Sequence, residues 1–171
     1  MIPGASPTGE TLEVRAPYDD RPIATLEAAT AETVEQALAT AHALFRDRDA
    51  WLPAWERIAV LEKTAQLMRE QAETLAVEAA REGGKPLLDS RVEVARAIDG
   101  MQNLIECLRG NHGQEIPMGL NPASAGRLAV TRREPIGVVV AVSAFNHPLN
   151  LIVHQVGPAV AAGCPVIVKP A

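Results

Sequence analysis

Asn146 and Lys169 could take part in one site, because each lies at the end of a predicted strand of the same sheet. Residues 138–142 and 166–168 are rich in β-branched side chains, which is typical of strands buried in a parallel sheet. The stretch between them is long enough for the crossover that parallel neighbours need. Both strands then finish at one edge of the sheet, where open α/β sheets bind their ligands. The sequence therefore predicts a ligand-binding site at this edge.

The first two-thirds of the chain must build the layer that supports this sheet. Its apolar residues recur at helical spacing after a short stretch of alternation, with Gly and Pro at the boundaries. The expected elements are a hairpin of strands 11–15 and 22–27, a helix capped by Thr30, a single helix from about residue 54 to residue 83, and a helix from about residue 87 to Gly110. The first helix should pack through Val34, Ala37, Leu38, Ala41, Leu44 and Phe45.

Residues 126–135 predict an exposed edge strand. Leu128 and Val130 alternate with Ala129 and Thr131, and arginines follow. A long edge strand needs a partner. We expect it to pair across a subunit interface, or with a later part of the chain, and we expect a homodimer or homotetramer.

Composition excludes several classes of function. Of the 171 residues, 47% are apolar, so a real core is possible, and 3% are aromatic, which leaves little for base stacking. The net charge of −5 also argues against a nucleic-acid partner. No signal peptide and no apolar run of membrane-spanning length is visible, so we expect a cytoplasmic protein with reduced cysteines, no membrane partner and no metal.

Four motifs near the end of the sequence carry a resemblance to a known family. They are Glu134-Pro-Ile-Gly-Val-Val139, Phe145-Asn-His-Pro-Leu149, Gly157-Pro-Ala-Val-Ala-Ala-Gly163 and Val168-Lys-Pro-Ala171. Together with Glu82-Gly-Gly-Lys-Pro86, they resemble the amino-terminal portion of the aldehyde dehydrogenase superfamily. The resemblance implies an α/β fold containing part of a Rossmann-like parallel sheet with an amino-terminal helical layer.

The resemblance also implies roles for individual residues. Asn146 matches the asparagine whose amide holds the oxygen of the substrate aldehyde and of the tetrahedral intermediate. Lys169 matches the lysine that reaches the adenosine ribose hydroxyls of NAD or NADP. Ser143, Ala144 and Phe145 match the residues that line the cofactor, chiefly through main-chain atoms.

Histidines and cysteines near these motifs have simpler interpretations. The family uses no histidine at the positions of His147 and His154, so surface or packing roles are expected. Cys164 begins the second strand, about 17 Å from the opposite edge of the sheet, so it is not the nucleophile that aldehyde oxidation requires. Cys107, between Leu104 and Leu108, is expected to be buried in its helix.

The resemblance implies three segments and a function. Residues 1–122 would supply the hairpin and helices of the cofactor-binding domain, residues 123–136 the exposed strand for oligomerisation, and residues 137–171 the first strand-helix-strand unit. The family's nucleophilic cysteine and its glutamate base come later in the family order, so we expect a truncated chain that is inactive alone. The complete protein would oxidise an aldehyde to a carboxylic acid with NAD or NADP, through a cysteine thiohemiacetal.

Two alternatives stay open. The first is a non-catalytic truncated module, and the second is a related enzyme such as an acyl-CoA-forming aldehyde dehydrogenase. The wording Phe145-Asn-His-Pro-Leu-Asn150 favours a branch that takes small polar or anionic aldehydes. Expressed alone, the chain should be destabilised and prone to associate. Pro158 predicts a kink or break in the crossover helix.

Overall fold

The computed structural model describes residues 9–171. Residues 1–8, where the sequence predicts no signal peptide, lie outside the described residues. Six strands and five helices follow one another, with short 3-10 turns at Arg48–Ala50 and Pro122–Ser124. The elements are β1 (Thr11–Arg15), β2 (Pro22–Glu27), α1 (Ala31–Arg46), α2 (Ala54–Glu70), α3 (Ala72–Gly83), α4 (Leu87–Arg109), β3 (Glu115–Ile116), β4 (Ala129–Val130), β5 (Val139–Val142), α5 (Pro148–Ala162) and β6 (Val166–Lys169).

The predicted amino-terminal hairpin is confirmed. Strands β1 and β2 pair antiparallel, from Thr11 opposite Glu27 to Val14 opposite Ala24. Asp20 lies in the turn with a φ of 58°, a conformation that Asp tolerates better than most residues.

Helix α1 begins as predicted but buries less than its apolar stripe suggests. The Thr30 side chain accepts from the Thr33 N–H at 3.3 Å, and Thr33 Oγ1 accepts from the Thr30 N–H at 2.7 Å, which closes a capping box. Ala37 and Ala41 are buried, whereas Val34 is 45% and Leu44 57% exposed. Only part of the predicted face is therefore covered by the described part of the chain.

The single helix expected from residue 54 to residue 83 is two helices, so that prediction was wrong. Gln71 separates α2 from α3 with φ −108° and ψ 14°. Its N–H still donates to Leu67 O at 3.1 Å and its carbonyl accepts from Leu75 N at 2.9 Å. Because the apolar stripe continues across Gln71 and no Gly or Pro lies there, the sequence gives no stop signal.

Helix α4 lies at the centre of the helical layer, in contact with α2, α3 and α5. The core between these helices consists of alanine, methionine and branched aliphatic side chains, as the shortage of aromatic residues requires. Its buried members are Leu61, Ala65, Met68, Ala97, Met101, Ile105, Val153 and Ala161. Cys107 is exposed, against the prediction, because it lies on α4 just beyond the edge of this buried stripe.

Strands β5 and β6 are parallel neighbours joined by α5, which confirms the predicted strand-helix-strand unit. Val139 lies opposite Val166 and Val142 opposite Lys169. Helix α5 begins with Pro148, where a missing N–H does no harm, and is unbroken across Pro158. It ends at Gly163, whose φ of 83° suits glycine, and the Arg57 side chain of α2 donates to the carbonyl of Ala161 in its last turn.

The predicted edge strand is much shorter than residues 126–135. Only Ala129 and Val130 are in strand β4, which pairs antiparallel with the earlier strand β3. Leu128 and Val130 are 77% and 68% exposed. Between residues 9 and 171, β4 has no second strand neighbour, and the interface expected there stays a prediction.

Residues 9–171 contain neither a candidate membrane span nor a candidate metal site. No helix in this range combines the length and apolar character that a bilayer-spanning segment requires. Across the same range, no group of three or more His, Cys, Asp or Glu side chains is arranged to hold a metal ion.

Candidate functional site

The carboxyl ends of β5 and β6 lie side by side. The main-chain N–H of Ser143, just after β5, donates to Lys169 O, at the end of β6, with a distance of 3.0 Å. Lys169 is exposed, and its ammonium makes no hydrogen bond or ion pair to the described part of the chain. The two strand ends are therefore paired as predicted, and the Lys169 ammonium at this edge of the sheet is free to bind a ligand.

Residues 143–146 connect β5 to α5, and all of them except Ser143 are exposed. Ser143 is buried, and its Oγ lies 3.2 Å from Ala144 O and 3.4 Å from Pro148 O, both of which can accept its proton. Ala144, Phe145 and Asn146 are exposed, with Phe145 at 79%. The connection thus presents its main chain and the Phe145 ring to the surroundings.

Asn146 combines an unengaged side chain with a held main chain. Its side-chain amide makes no hydrogen bond within residues 9–171, whereas its carbonyl oxygen lies 3.3 Å from Lys85 Nζ and accepts a hydrogen bond from it. The Asn146 amide is therefore free to donate to a ligand.

A buried ion pair underlies this connection, and sequence reasoning missed it. Glu93 of α4 is 1% exposed, and one of its carboxylate oxygens forms an ion pair with Lys85 Nζ. The other, Oε1, accepts from Leu149 N at 2.8 Å and from Asn150 N at 3.0 Å. The charge on Glu93 is therefore compensated from two directions, as a buried carboxylate requires.

Glu93 serves as the cap of α5. His147, at the N-cap position, makes no capping hydrogen bond, and Leu149 and Asn150 are the second and third residues of the helix. Their N–H groups have no partner inside the helix and lie at the positive end of its dipole, where a carboxylate is favourable. Burial raises the pKa of the Glu93 carboxyl, but the bonds from Lys85 and from the two N–H groups outweigh burial and hold this pKa below its ordinary value.

Lys85 lies on the turn between α3 and α4. Gly84 ends α3 with a φ of 63°, and Pro86 is the residue that precedes α4. This turn directs Lys85 Nζ towards Glu93, Asn146 O and His147 Nδ1, the last at 3.4 Å. The Lys85 side chain is 14% exposed, so its charge is largely withdrawn from solvent.

A sequence signal for Glu93 does exist. The buried face of α4 contains Val94, Ala97 and Met101, and Glu93 falls in phase with them at one helical turn before Ala97. A charged residue within an otherwise apolar stripe indicates a paired, buried group. Its partners Leu149 and Asn150 could not be read from the sequence, because they lie more than 50 positions later.

The remaining candidate residues are placed as follows. His147 is half-exposed beside Glu93, with Nδ1 3.6 Å from Oε2, and His154 is exposed on α5. Cys164 is buried just before β6, and its N–H donates to Ala159 O at 2.8 Å. Because β6 runs from Val166 to Lys169, Cys164 lies at the edge of the sheet opposite to Asn146. Gln155 Nε2 donates to Val142 O at 3.0 Å and joins α5 to the end of β5.

Known proteins resemble this chain in sequence. The sequence model described as "Aldehyde dehydrogenase family" matches residues 5–171. The 3-sulfolactaldehyde dehydrogenase of Priestia aryabhattai is 38% identical over 164 residues, which are 96% of this chain and 34% of that protein.

Two solved structures show the same fold. Aldehyde dehydrogenase 21 from Physcomitrella patens, in complex with the reaction product succinate, aligns with a TM-score of 0.89 and 35% identity over 98% of this chain and 34% of that one. Glyceraldehyde-3-phosphate dehydrogenase GapN from Methanocaldococcus jannaschii, complexed with NADP, aligns with a TM-score of 0.84 and 33% identity over 94% of this chain and 34% of that one. This chain spans about a third of the length of these relatives. The chain belongs to the aldehyde dehydrogenase family and has its α/β fold, with part of a Rossmann-like parallel sheet.

Proposed function

We propose that these residues are the amino-terminal portion of a dehydrogenase that oxidises an aldehyde to a carboxylic acid with NAD or NADP. The observation that carries the proposal is that the exposed, unbonded amide of Asn146 and the free ammonium of Lys169 both lie at the carboxyl-terminal edge of the β5–β6 pair, in a chain of this family. The nucleophile is a cysteine thiolate from elsewhere in the complete protein. Cys164 lies at the wrong edge of the sheet, and Cys107 is 14 residues, or about 21 Å of helix, from Glu93 along α4.

Asn146 acts on the substrate oxygen. When a thiolate adds to the aldehyde carbon, the electron pair of the C=O bond moves to oxygen, and the resulting thiohemiacetal oxygen carries negative charge. The Asn146 amide donates to this oxygen and stabilises the charge as it develops. The same donor serves the second addition, in which water attacks the acyl thioester and the thiolate leaves.

Residues 143–145 and Lys169 hold the cofactor. The Lys169 ammonium is free to donate to the ribose hydroxyls, and the exposed main chain of Ala144 and Phe145 can lie along the dinucleotide. The buried Ser143, bonded to Lys169 O, fixes the distance between the two groups. When bound, the nicotinamide accepts the hydride that the aldehyde carbon loses.

We propose a small anionic aldehyde as the substrate. Two of the three similar proteins are named for 3-sulfolactaldehyde and glyceraldehyde-3-phosphate, and the third was solved with its reaction product succinate. Each of these molecules carries an anionic group within a few bonds of the reacting carbon. This agrees with the preference that the wording around Asn146 suggests. Faster turnover of uncharged long-chain or aromatic aldehydes than of C3–C4 aldehydes with a sulfonate, carboxylate or phosphate would contradict this part of the proposal.

The complete protein should be a homodimer or homotetramer, with strand β4 at the interface. Its short pairing with β3 leaves the other edge without a strand neighbour among residues 9–171, and Leu128 and Val130 are exposed beside it. A monodisperse monomer in light scattering would contradict this part.

The central test is steady-state kinetics of the complete protein and of its Asn146→Ala variant. We expect kcat to fall about 10²- to 10³-fold, as for other oxyanion donors, with little change in the KM of NAD(P). Folding should be unaffected, because the amide has no partner in the described residues. No aldehyde-dependent reduction of NAD(P) by the wild type, with or without coenzyme A as acyl acceptor, would refute the proposal, and a requirement for coenzyme A would favour the acyl-CoA-forming alternative.

A further inference from the structure

The connection that contains Asn146 is held in place by Lys85 and Glu93 and not by contacts of its own side chains. Residues 144–146 are exposed, and the side-chain amide of Asn146 makes no bond within residues 9–171. Apart from its covalent neighbours, the contact that holds Asn146 is the hydrogen bond from Lys85 Nζ to its carbonyl. The position of its amide therefore depends on where Lys85 and the start of α5 lie.

The Glu93 carboxylate contacts both Lys85 and the start of α5. Glu93 binds Lys85 through one oxygen and the N–H groups of Leu149 and Asn150 through the other. The main chain of Asn146 is thus held on one side by Lys85 and on the other, three residues later, by the cap of α5. Glu93 itself belongs to α4, which packs against α2, α3 and α5 in the helical core.

We propose that Lys85 and Glu93 are positioning residues that set the place of the Asn146 amide for the reacting oxygen. The inference rests on the proposed function of Asn146 and assigns a role to two residues outside the cofactor and substrate contacts. The chemistry makes it consequential, because a displacement of about 1 Å in a catalytic group can cost a hundredfold in rate.

The competing explanation is a buried ion pair that only stabilises the helical layer. Such a pair would affect the amount of folded protein, but it would not depend on what side chain stands at position 146. A double-mutant cycle between Glu93 and Asn146 separates the two explanations.

The experiment uses the complete protein with Glu93→Gln and with the double variant Lys85→Met, Glu93→Gln. The double variant leaves no unpaired buried charge, so it keeps the test usable if the single variant folds poorly. Each is made with Asn146 present and with Asn146→Ala, and kcat and the KM of NAD(P) are measured per folded protein. The matched control is Glu73→Gln, which breaks the exposed pair between Glu73 of α3 and Arg91 of α4, at 2.6 and 2.9 Å.

With Asn146 present, we expect kcat to fall about tenfold to a hundredfold and the KM of NAD(P) to change less than about twofold. In the Asn146→Ala background, the same substitutions should lower kcat less than about threefold, because there is no amide left to misplace. Glu73→Gln should leave kcat unchanged in both backgrounds. Equal losses in the two backgrounds, or no loss in either, would overturn the inference.

A crystallographic readout separates this inference from the proposed function. Structures of the complete wild type, Glu93→Gln and Glu73→Gln are compared at Asn146. A shift of the Asn146 Cα of more than about 0.5 Å, or a marked rise in its B-factor relative to α4, in Glu93→Gln alone would support the positioning role. An unmoved Asn146 would refute it, whether or not the wild type oxidises aldehydes.

Discussion

At the scale of single residues, Asn146 has an exposed side chain on a main chain that a buried ion pair holds. Asn146 contributes nothing to the core, yet its carbonyl accepts a hydrogen bond from Lys85, which in turn pairs with Glu93, the most deeply buried carboxylate of the described chain. Glu93 stays ionised there because Lys85 and two helix N–H groups offset the cost of burial. The cost of keeping this charge in the core is explained if it positions a functional group.

The lowered pKa of Glu93 predicts a specific dependence of stability on pH. A carboxyl whose pKa is lower in the folded state stabilises the protein above its ordinary pKa of about 4.3, and this contribution is lost as pH falls through the lowered, folded-state pKa. The groups that face it are Lys85 Nζ and His147 Nδ1, the latter 3.6 Å away. Glu93→Gln should therefore lower the free energy of unfolding by about 2 kcal/mol at pH 7.

The measurement is urea denaturation of the complete protein and of Glu93→Gln at pH 7 and at pH 4. The difference between the two proteins should shrink at the lower pH. Glu73→Gln should give a smaller effect at pH 7, since its partner Arg91 is half-exposed and solvent screens the pair. A difference between wild type and Glu93→Gln that grows at pH 4 would contradict the direction of the shift.

Lys169 gives a second prediction at this scale. Its ammonium lies at the end of β6 without a partner among the described residues, so its removal should cost little stability. In the complete protein, Lys169→Met should raise the KM of NAD(P) about tenfold, the value of one charge-assisted hydrogen bond to a ribose hydroxyl, and change kcat little. An unchanged KM for both NAD and NADP would remove Lys169 from the cofactor site.

The sequence predicted where Asn146 and Lys169 lie on the sheet but missed the contacts of Lys85 and Glu93, for a physical reason. The strand ends that carry Asn146 and Lys169 follow from β-branched runs and a crossover, which are local patterns. The contacts of Lys85 and Glu93 depend on how α4 packs against α5, and periodicity shows which face is buried but not what lies against it. The same limit explains Cys107, whose helical spacing beside Leu104 and Leu108 was mistaken for burial.

At the scale of elements, the segment between α4 and β5 departs furthest from its sequence pattern. Alternation over residues 128–131 predicts a strand that spans residues 126–135, yet pairing covers only Ala129 and Val130. Beyond them, Thr131 N donates to Gln114 O at 2.8 Å, and Gln114 N donates to Thr131 Oγ1 at 2.8 Å. Alternation indicates which side chains share a face, but the partner segment sets how far the pairing extends.

Gly113 permits this pairing. A Cβ placed on it would lie 1.7 Å from Thr131 O, a main-chain atom that cannot rotate away, whereas a Cβ on Gly110 would meet nothing closer than 3.6 Å. Gly113→Ala should therefore separate residues 114–116 from residues 129–131, and Gly110→Ala should not. Amide hydrogen exchange of the complete protein checks this, with faster exchange expected in both segments for Gly113→Ala alone. If β4 forms the subunit interface, Gly113→Ala should also shift the mass in light scattering towards the monomer.

At the scale of the whole molecule, the outer face of the β5–β6 pair decides how this chain behaves by itself. Ala141 points to α5 and is 2% exposed, whereas its neighbours Val140 and Val142, on the opposite face, are 60% and 61% exposed. Two adjacent valines on an open strand pair with free edges form a surface that favours association. Residues 1–171 expressed alone should therefore associate in a concentration-dependent way.

The double substitution Val140→Thr, Val142→Thr should improve the behaviour of residues 1–171 expressed alone but destabilise the complete protein. Threonine keeps the β-branched shape and strand preference of valine but adds a hydroxyl, so on an open face it should reduce association of residues 1–171 in sedimentation velocity. In the complete protein, if other parts of the chain cover this face, the same change buries two hydroxyls without partners and should lower the unfolding free energy by about 2–4 kcal/mol.

Val60→Thr with Val92→Thr, at exposed positions on α2 and α4, is the matched control and should alter association little. Equal stability of the complete protein with and without the β5 substitutions would mean that this face stays open to solvent, and its exposed valines would then need another explanation.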